Sequence, residues 1–230
     1  MVNRRALTTT REAWPTRVSV GDAWLVGDLA VPREARGIVI FAHGSGSSRL
    51  SPRNQQVADV LDRRRLATLL IDLLTRSEEL VDQHTAQLRF DLGLLAQRVA
   101  GIADWVRRDE QLSHLAIGLF GASTGGGAAL IAAAERPSVV AAVVSRGGRP
   151  DLAGDALPRV AAPTLLIVGE LDEPVIELNR IAMAQMRAPG ELAIVPHATH
   201  LFEEPGTLEA VAHLAGDWFE RYLGPRAQTA

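Results

Sequence analysis

The chain has 230 residues, no cysteine, 47% hydrophobic residues and a formal net charge of -3. A chain without cysteine has no disulfide framework, no thiol nucleophile and no Cys-ligated metal. The near-neutral balance gives no nucleic-acid footprint, and the densest basic run, Arg63-Arg64-Arg65, reads as the solvated end of a helix.

The first fourteen residues are polar and carry Arg4, Arg5 and Arg11, without the apolar h-region of a secretory signal. Alternation over residues 17–20, a Gly21-Asp22 turn and residues 23–31 predict an antiparallel hairpin. Residues 37–42 (GIVIFA) form a continuous apolar run, as do 67–71, 115–120, 139–144, 164–168 and 191–195. Runs of this kind suit strands buried on both faces of a parallel sheet. Between them, Leu92, Leu95, Val99, Ile102 and Val106 step by three and four, which predicts a helix with one apolar stripe. Residues 52–65, 173–186 and 207–222 have the same habit, and 123–134 is a helix of small residues. Strand and helix therefore alternate after the hairpin, which predicts an α/β fold with a mostly parallel sheet and helices on both faces. Residues 1–230 read as a single domain. Residues 73–90 show no clear element and are expected to form a small polar cap, and the tail from 224 is expected to fray. No apolar run approaches the ~20 residues of a membrane span, so a cytoplasmic protein without membrane or nucleic-acid partners is expected.

Gly121-Ala122-Ser123-Thr124-Gly125 matches G-x-S-x-G. The five residues alone are a weak signal, but here they follow an apolar strand and open a helix. That is the setting of a nucleophile elbow, with the helix amides beside the serine. A Gly-rich phosphate loop is the competing interpretation, but there is no Lys at the P-loop position and no G-x-G-x-x-G. A serine nucleophile needs a base, and the base needs an orienting carboxylate, in the chain order Ser, acid, His. After the 164–168 run comes Gly169-Glu170-Leu171-Asp172-Glu173, in which Asp172 is the candidate acid and Glu170 and Glu173 its local rivals. Glu173 suits the first turn of the following helix, and Asp172 could itself be only a helix cap. After 191–195 come His197 and His200; His200 is the candidate base and His197 the reserve. The loop after residue 42 supplies the oxyanion side. The Ser45 amide, with Gly46 second, is expected to pair with the Thr124 amide. His43 precedes the nucleophile and is read as tying loop to loop. Arg146, at another strand end, is a candidate for binding a substrate carboxylate or phosphate, or else a structural ion pair with Asp151 or Asp155. Asp72 is a further polar group near the site without an assigned role.

HGSGSS at 43–48, GASTGG at 121–126, GELDEPV at 169–175 and HATHLF at 197–202 together resemble the α/β-hydrolase superfamily, in particular its dienelactone hydrolase-like group. The likeness spans most of the chain and implies the α/β-hydrolase fold. In that group the aspartate of a G-x-x-D-x-x-V loop and the histidine before a hydrophobic-Phe pair complete a triad, which implies Asp172 and His200. Authentic dienelactone hydrolases use a cysteine nucleophile where this chain has Ser123, so the lactonase label does not carry over. Some relatives of this type are fused to phosphoribosyltransferase-like domains; this sequence is expected to form the hydrolase domain alone.

A serine hydrolase acting on a small ester or related acyl substrate is therefore expected, without metal or organic cofactor. Perhydrolysis, thioester cleavage and peptide cleavage use the same residues. A ligand-binding protein that retains the fold is the alternative from another class.

Overall fold

The computed structural model describes residues 12–224; the tail expected to fray from 224 lies outside them beyond that first residue. Two strands, β1 (Trp14–Val20) and β2 (Ala23–Ala30), form the antiparallel hairpin, turning at Gly21 with φ +58°. Pairing extends three residues before the expected start of β1. Next come β3 (Gly37–Ala42), helix α1 (Pro52–Arg63) and β4 (Leu66–Ile71). Helices α2 (Arg76–Thr85) and α3 (Leu92–Arg108) lead to β5 (Ala116–Ala122) and α4 (Thr124–Glu135). The chain then runs through β6 (Val140–Arg146), a 3-10 stretch (Pro150–Arg159), β7 (Thr164–Gly169) and α5 (Glu173–Gln185). It closes with β8 (Gly190–Val195) and α6 (Thr207–Leu223).

The eight strands form one sheet in the order β1-β2-β4-β3-β5-β6-β7-β8. β2 meets β4 antiparallel, and every pairing from β4 to β8 is parallel. Successive side chains of a strand point to opposite faces, and β3 shows the result. Ile38, Ile40 and Ala42 enter the core under α3 and α4, while Val39 and Phe41 enter the core under α1 and α6. The α3 stripe Leu95, Val99, Ile102 and Val106 is buried in the first core. The second core holds Phe41 against Phe120, ring centroids 4.8 Å apart. Such aromatic pairs add about 0.5–1.5 kcal/mol beyond the area they bury. Both faces are covered, which is why β3, β4 and β7 are buried from end to end and, but for Thr68 in β4 and Thr164 in β7, carry no polar side chain.

Chain order reverses at β3. From it the chain goes first to β4 on one side and then to β5 on the other. The loops leaving β3 and β5 therefore diverge and open a crevice at the carboxyl ends of these strands, the usual place for a ligand in an open α/β sheet. The last registered β3–β5 pair is Ala42 with Gly121. Beyond it lie His43-Gly44-Ser45 on one side and Ala122-Ser123 on the other.

Helix α2 fills the segment where no element was expected. Asp82 is its single buried residue, so it has no apolar stripe to read. Its start was nevertheless written in the sequence. Thr75 and Glu78 form a capping box, in which Thr75 Oγ1 accepts from the Glu78 amide and Glu78 Oε2 accepts from the Thr75 amide. The segment is anchored by charge. Asp82 Oδ2 takes the Arg89 Nε proton at 2.6 Å and Asp82 Oδ1 the Arg89 amide at 3.0 Å, while Arg98 Nη2 donates to Glu78 Oε1 at 2.8 Å. Burial alone would push the Asp82 carboxyl up, but the bonds and charge of Arg89 outweigh it and hold it below the usual carboxylate range. The outer surface of the segment is mixed: Arg76, Ser77, Glu79, Gln83 and His84 are exposed. Leu80, Val81 and Phe90 are also each more than half exposed.

Candidate active site

Ser123 has φ +51° and ψ -124°, a backbone conformation that L-residues rarely adopt. Strain of this kind costs about 1–3 kcal/mol and persists only where the surroundings enforce it. Here they do. The Ser123 amide donates to Arg146 O at 3.2 Å, and Ser123 O accepts from Gly126 N at 2.9 Å and Arg149 N at 3.1 Å. The flanking glycines leave the space the turn needs. A Cβ on Gly121 would stand 2.5 Å from both Gly125 O and Gly126 Cα, and one on Gly125 would collide with Ala42 O and, at 2.6 Å, His43 O. Ser123 is the N-cap residue of α4 but its side chain makes no capping bond, so the hydroxyl stays available at the carboxyl end of the sheet.

Asp172 follows β7 and precedes α5. Its carboxylate makes no capping bond to that helix. Instead Asp172 Oδ2 lies 2.6 Å from Nδ1 of His200, which the loop after β8 delivers. The rivals are engaged elsewhere. Glu170 Oε2 accepts from the His197 amide at 2.8 Å, and Glu173 sits in the first turn of α5. The His197 ring is 90% exposed beside Glu170, whereas the His200 side chain is 39% exposed. The structure thus brings Asp172 to His200 and not to His197. Gly147, next to the residue that accepts the Ser123 amide, joins the two loops. A Cβ there would stand 3.1 Å from His200 O and 3.5 Å from His200 Cε1.

On the β3 side, Gly44 packs against the elbow, where an added Cβ would be 3.0 Å from Ser123 Cβ. The Ser45 amide does not stand open, as an oxyanion donor would. It donates to Oγ1 of Thr124 at 2.9 Å. His43 ties this loop to the end of β4. Its Nε2 accepts the Leu73 amide at 3.1 Å and its Nδ1 donates to Gly44 O at 3.0 Å, which together define one neutral tautomer. Burial lowers the His43 pKa, and the pull of the Gly44 carbonyl and of Asp72 and Glu79 in the other direction does not compensate. Asp72 acquires a role from the structure, as the second tie of the same loop. It accepts the Arg49 amide at 2.7 Å and Arg49 Nη1 at 2.5 Å, and Arg49 reaches on to Asp28 at 3.2 Å.

The lowered His43 pKa has a measurable consequence. Between the folded value and the unfolded value near 6.5, the unfolded chain binds a proton that the folded chain does not. His43 therefore contributes stability that is complete above about pH 6.5 and is lost as pH falls below it. Urea unfolding from pH 7.5 to 5 should show wild type losing stability more steeply than His43→Gln, by at most about 1.4 kcal/mol per pH unit. Equal slopes would mean that His43 does not carry this dependence.

Arg146 does not reach the crevice. It shares the face of Ala142 and Val144, is buried, and donates from Nη2 to Asn54 Oδ1 of α1 at 3.4 Å. Burial, and then the like charge of Arg53, bring its pKa down to about 10. Among the described residues it does not make the expected ion pair; Arg149 is the residue that clasps Asp151, through Nε at 2.8 Å and Nη2 at 2.7 Å. What Arg146 gives the site is its backbone carbonyl under Ser123. Beside the Ser45 loop lies a cavity of ≈260 Å³, bounded by residues 43–48, Asp72, Leu74, Glu79, Asp82, Gln83, Arg89 and Leu95.

Comparisons with known proteins agree with this architecture. The dienelactone hydrolase family matches residues 25–223. A crystal structure of a dienelactone hydrolase from Anabaena variabilis superposes with a TM-score of 0.92 at 60% identity, covering 93% of this chain and 99% of that one. Est1E from Butyrivibrio proteoclasticus, at 16% identity and TM-score 0.75 over 90% of this chain and 98% of its own, shares the fold. Proteins of two Mycobacterium tuberculosis strains that carry a provisional name as phosphoribosyl transferase are 55% identical over 210 residues, 91% of this chain and 46% of theirs. The chain thus spans about half the length of the curated relatives it matches. On the family match over residues 25–223, which takes in all four loops of the site, this chain belongs to the dienelactone hydrolase family.

Proposed function

We propose that the protein is a serine hydrolase that cleaves a small ester or related acyl substrate through Ser123, His200 and Asp172. The observation that carries this reading is the 2.6 Å bond between Asp172 and His200, made beside the strained turn that presents Ser123. With Nδ1 held by Asp172, Nε2 of His200 is left to take the Ser123 proton as Oγ attacks the acyl carbon. Collapse of the tetrahedral adduct breaks the bond to the leaving alkoxide, which takes that proton from His200. Water then attacks the acyl-enzyme by the same proton route, and Ser123 is regenerated. Asp172 fixes the tautomer and stabilises the imidazolium. The α4 N-terminus supplies amides where negative charge develops.

The cavity of ≈260 Å³ beside the Ser45 loop, on the β3 side of the crevice, is the space in which part of such a substrate would sit. The name borne by the mycobacterial relatives belongs to longer proteins, of which the matched stretch is 46%. The test is active-site labelling. A fluorophosphonate probe should modify Ser123 within minutes, as read by peptide mass spectrometry, and heat-denatured protein should not react. A native protein left unlabelled would instead favour a ligand-binding role for the retained fold.

A further inference from the structure

The Ser45 amide is the donor this loop would ordinarily offer to an oxyanion, yet its hydrogen is directed at the side chain of Thr124, 79 residues away. Thr124 is the first residue of α4, adjoins Ser123 and is 5% exposed. A hydroxyl has one proton and two lone pairs. The Ser45 bond occupies one lone pair, and among the described residues the proton of Oγ1 has no acceptor. The hydroxyl thus sits between the β3 loop and the elbow, on the same residue as the amide expected to serve the oxyanion. It is held from one side with its donor function unspent.

We infer that the Thr124 hydroxyl is itself an oxyanion donor, set in place by the Ser45 amide. This rests on Ser123 being the nucleophile. When the Ser123–acyl adduct forms, its oxygen accepts from Thr124 N–H and from Thr124 Oγ1–H, while Ser45 N–H remains on Oγ1. No bond has to be broken for the hole to work. The Ser45 amide polarises the hydroxyl and makes it a stronger donor, as expected of hydrogen bonds in series. The loop reads the transition state through Thr124 and does not touch it directly. His43 and the Asp72–Arg49 pair, which fix the loop at both ends, become positioning residues for that hydroxyl.

The test compares Thr124→Val, Thr124→Ala and Thr124→Ser with p-nitrophenyl acetate. Loss of one oxyanion donor costs about 10²–10³ in kcat. Val and Ala should show this loss with KM within about twofold, and Ser, which keeps the hydroxyl, should stay within about fivefold of wild type. Inhibition by phenylboronic acid, whose serine adduct is tetrahedral, should weaken in Val and Ala in parallel with kcat/KM. Ala, which needs no room for a second methyl group, serves if Val does not fold. If Ser45 served the oxyanion directly, removing the hydroxyl would free its amide, and Val or Ala would match or exceed wild type; that result overturns the inference. Equal losses in Ser and Val overturn it too, because the hydroxyl would then be irrelevant. Fluorophosphonate labelling of wild-type Ser123 separates the two levels. Without it the nucleophile assignment fails, whereas with it an active Thr124→Val defeats this inference alone.

Discussion

Ser123→Ala is expected to lower kcat/KM for p-nitrophenyl acetate by on the order of 10⁵–10⁶-fold, the scale seen when a nucleophile acting as part of a unit is removed. The effect is this large because nucleophile, base and acid act as a unit, and the chain has no cysteine to offer a thiol instead. Folding should survive. The turn is held by backbone bonds from Ser123 N and O, and the Ser123 side chain makes no capping bond to α4. Alanine keeps those bonds and changes only the hydroxyl, so the midpoint of thermal unfolding should move by no more than a few degrees. Stopped assays on purified wild type and variant, with thermal melts alongside, decide the matter. Wild-type turnover in the variant would remove Ser123 from the mechanism.

Asp172→Asn is expected to cost about 10⁴ in kcat, and for a different reason. The carboxylate is an acceptor only, so the His200 nitrogen facing it carries a proton and Nε2 is the basic one. An amide can turn its NH2 toward Nδ1 and reverse that assignment, leaving Nε2 protonated and unable to accept from Ser123. The carboxylate also stabilises the imidazolium, and a neutral amide does not. Asp172→Glu keeps the charge but moves it by a methylene, and should fall between wild type and Asn. The companion measurement is the rate of fluorophosphonate labelling, which should drop with kcat because both need an activated serine. If Asn retained more than about a tenth of wild-type kcat, His200 would not depend on Asp172.

Much of this arrangement was legible in the sequence, for a physical reason. A strand buried on both faces is a continuous apolar run, and its end is marked where the run gives way to a loop carrying Gly, His or Asp. Residues 37–42 and 164–168 announced β3 and β7 in this way, so the residues just beyond them stood out as site candidates. The elbow was legible because its glycines answer a steric demand. The loop and the family likeness favour His200 over His197; the fold adds that their backbone turns separate them, His197 having φ +60°. Arg146 was misplaced because position at a strand end does not say which face a side chain takes. The 146 side chain follows the parity of Ala142 and Val144 into the core. Helix α2 escaped periodicity because it buries a single residue, although its capping box was there to be read. The bond from Ser45 to Thr124 lay beyond reach, since nothing in either segment specifies the approach of the other.

The reversal of chain order at β3 has a bearing on how such a protein can diversify. The proposed chemistry is confined to the turns at one rim of the sheet, after β3, β5, β7 and β8, while cohesion comes from the strands and helices beneath. The cap helix α2 contributes one buried residue and is moored by charge. Descent can therefore rewrite the substrate-facing segments piecemeal, exchange the cap, or lengthen it at small entropic cost, while the interior goes on specifying the same scaffold. A frame of this kind lets selection try new substrates without first having to preserve the fold at each step.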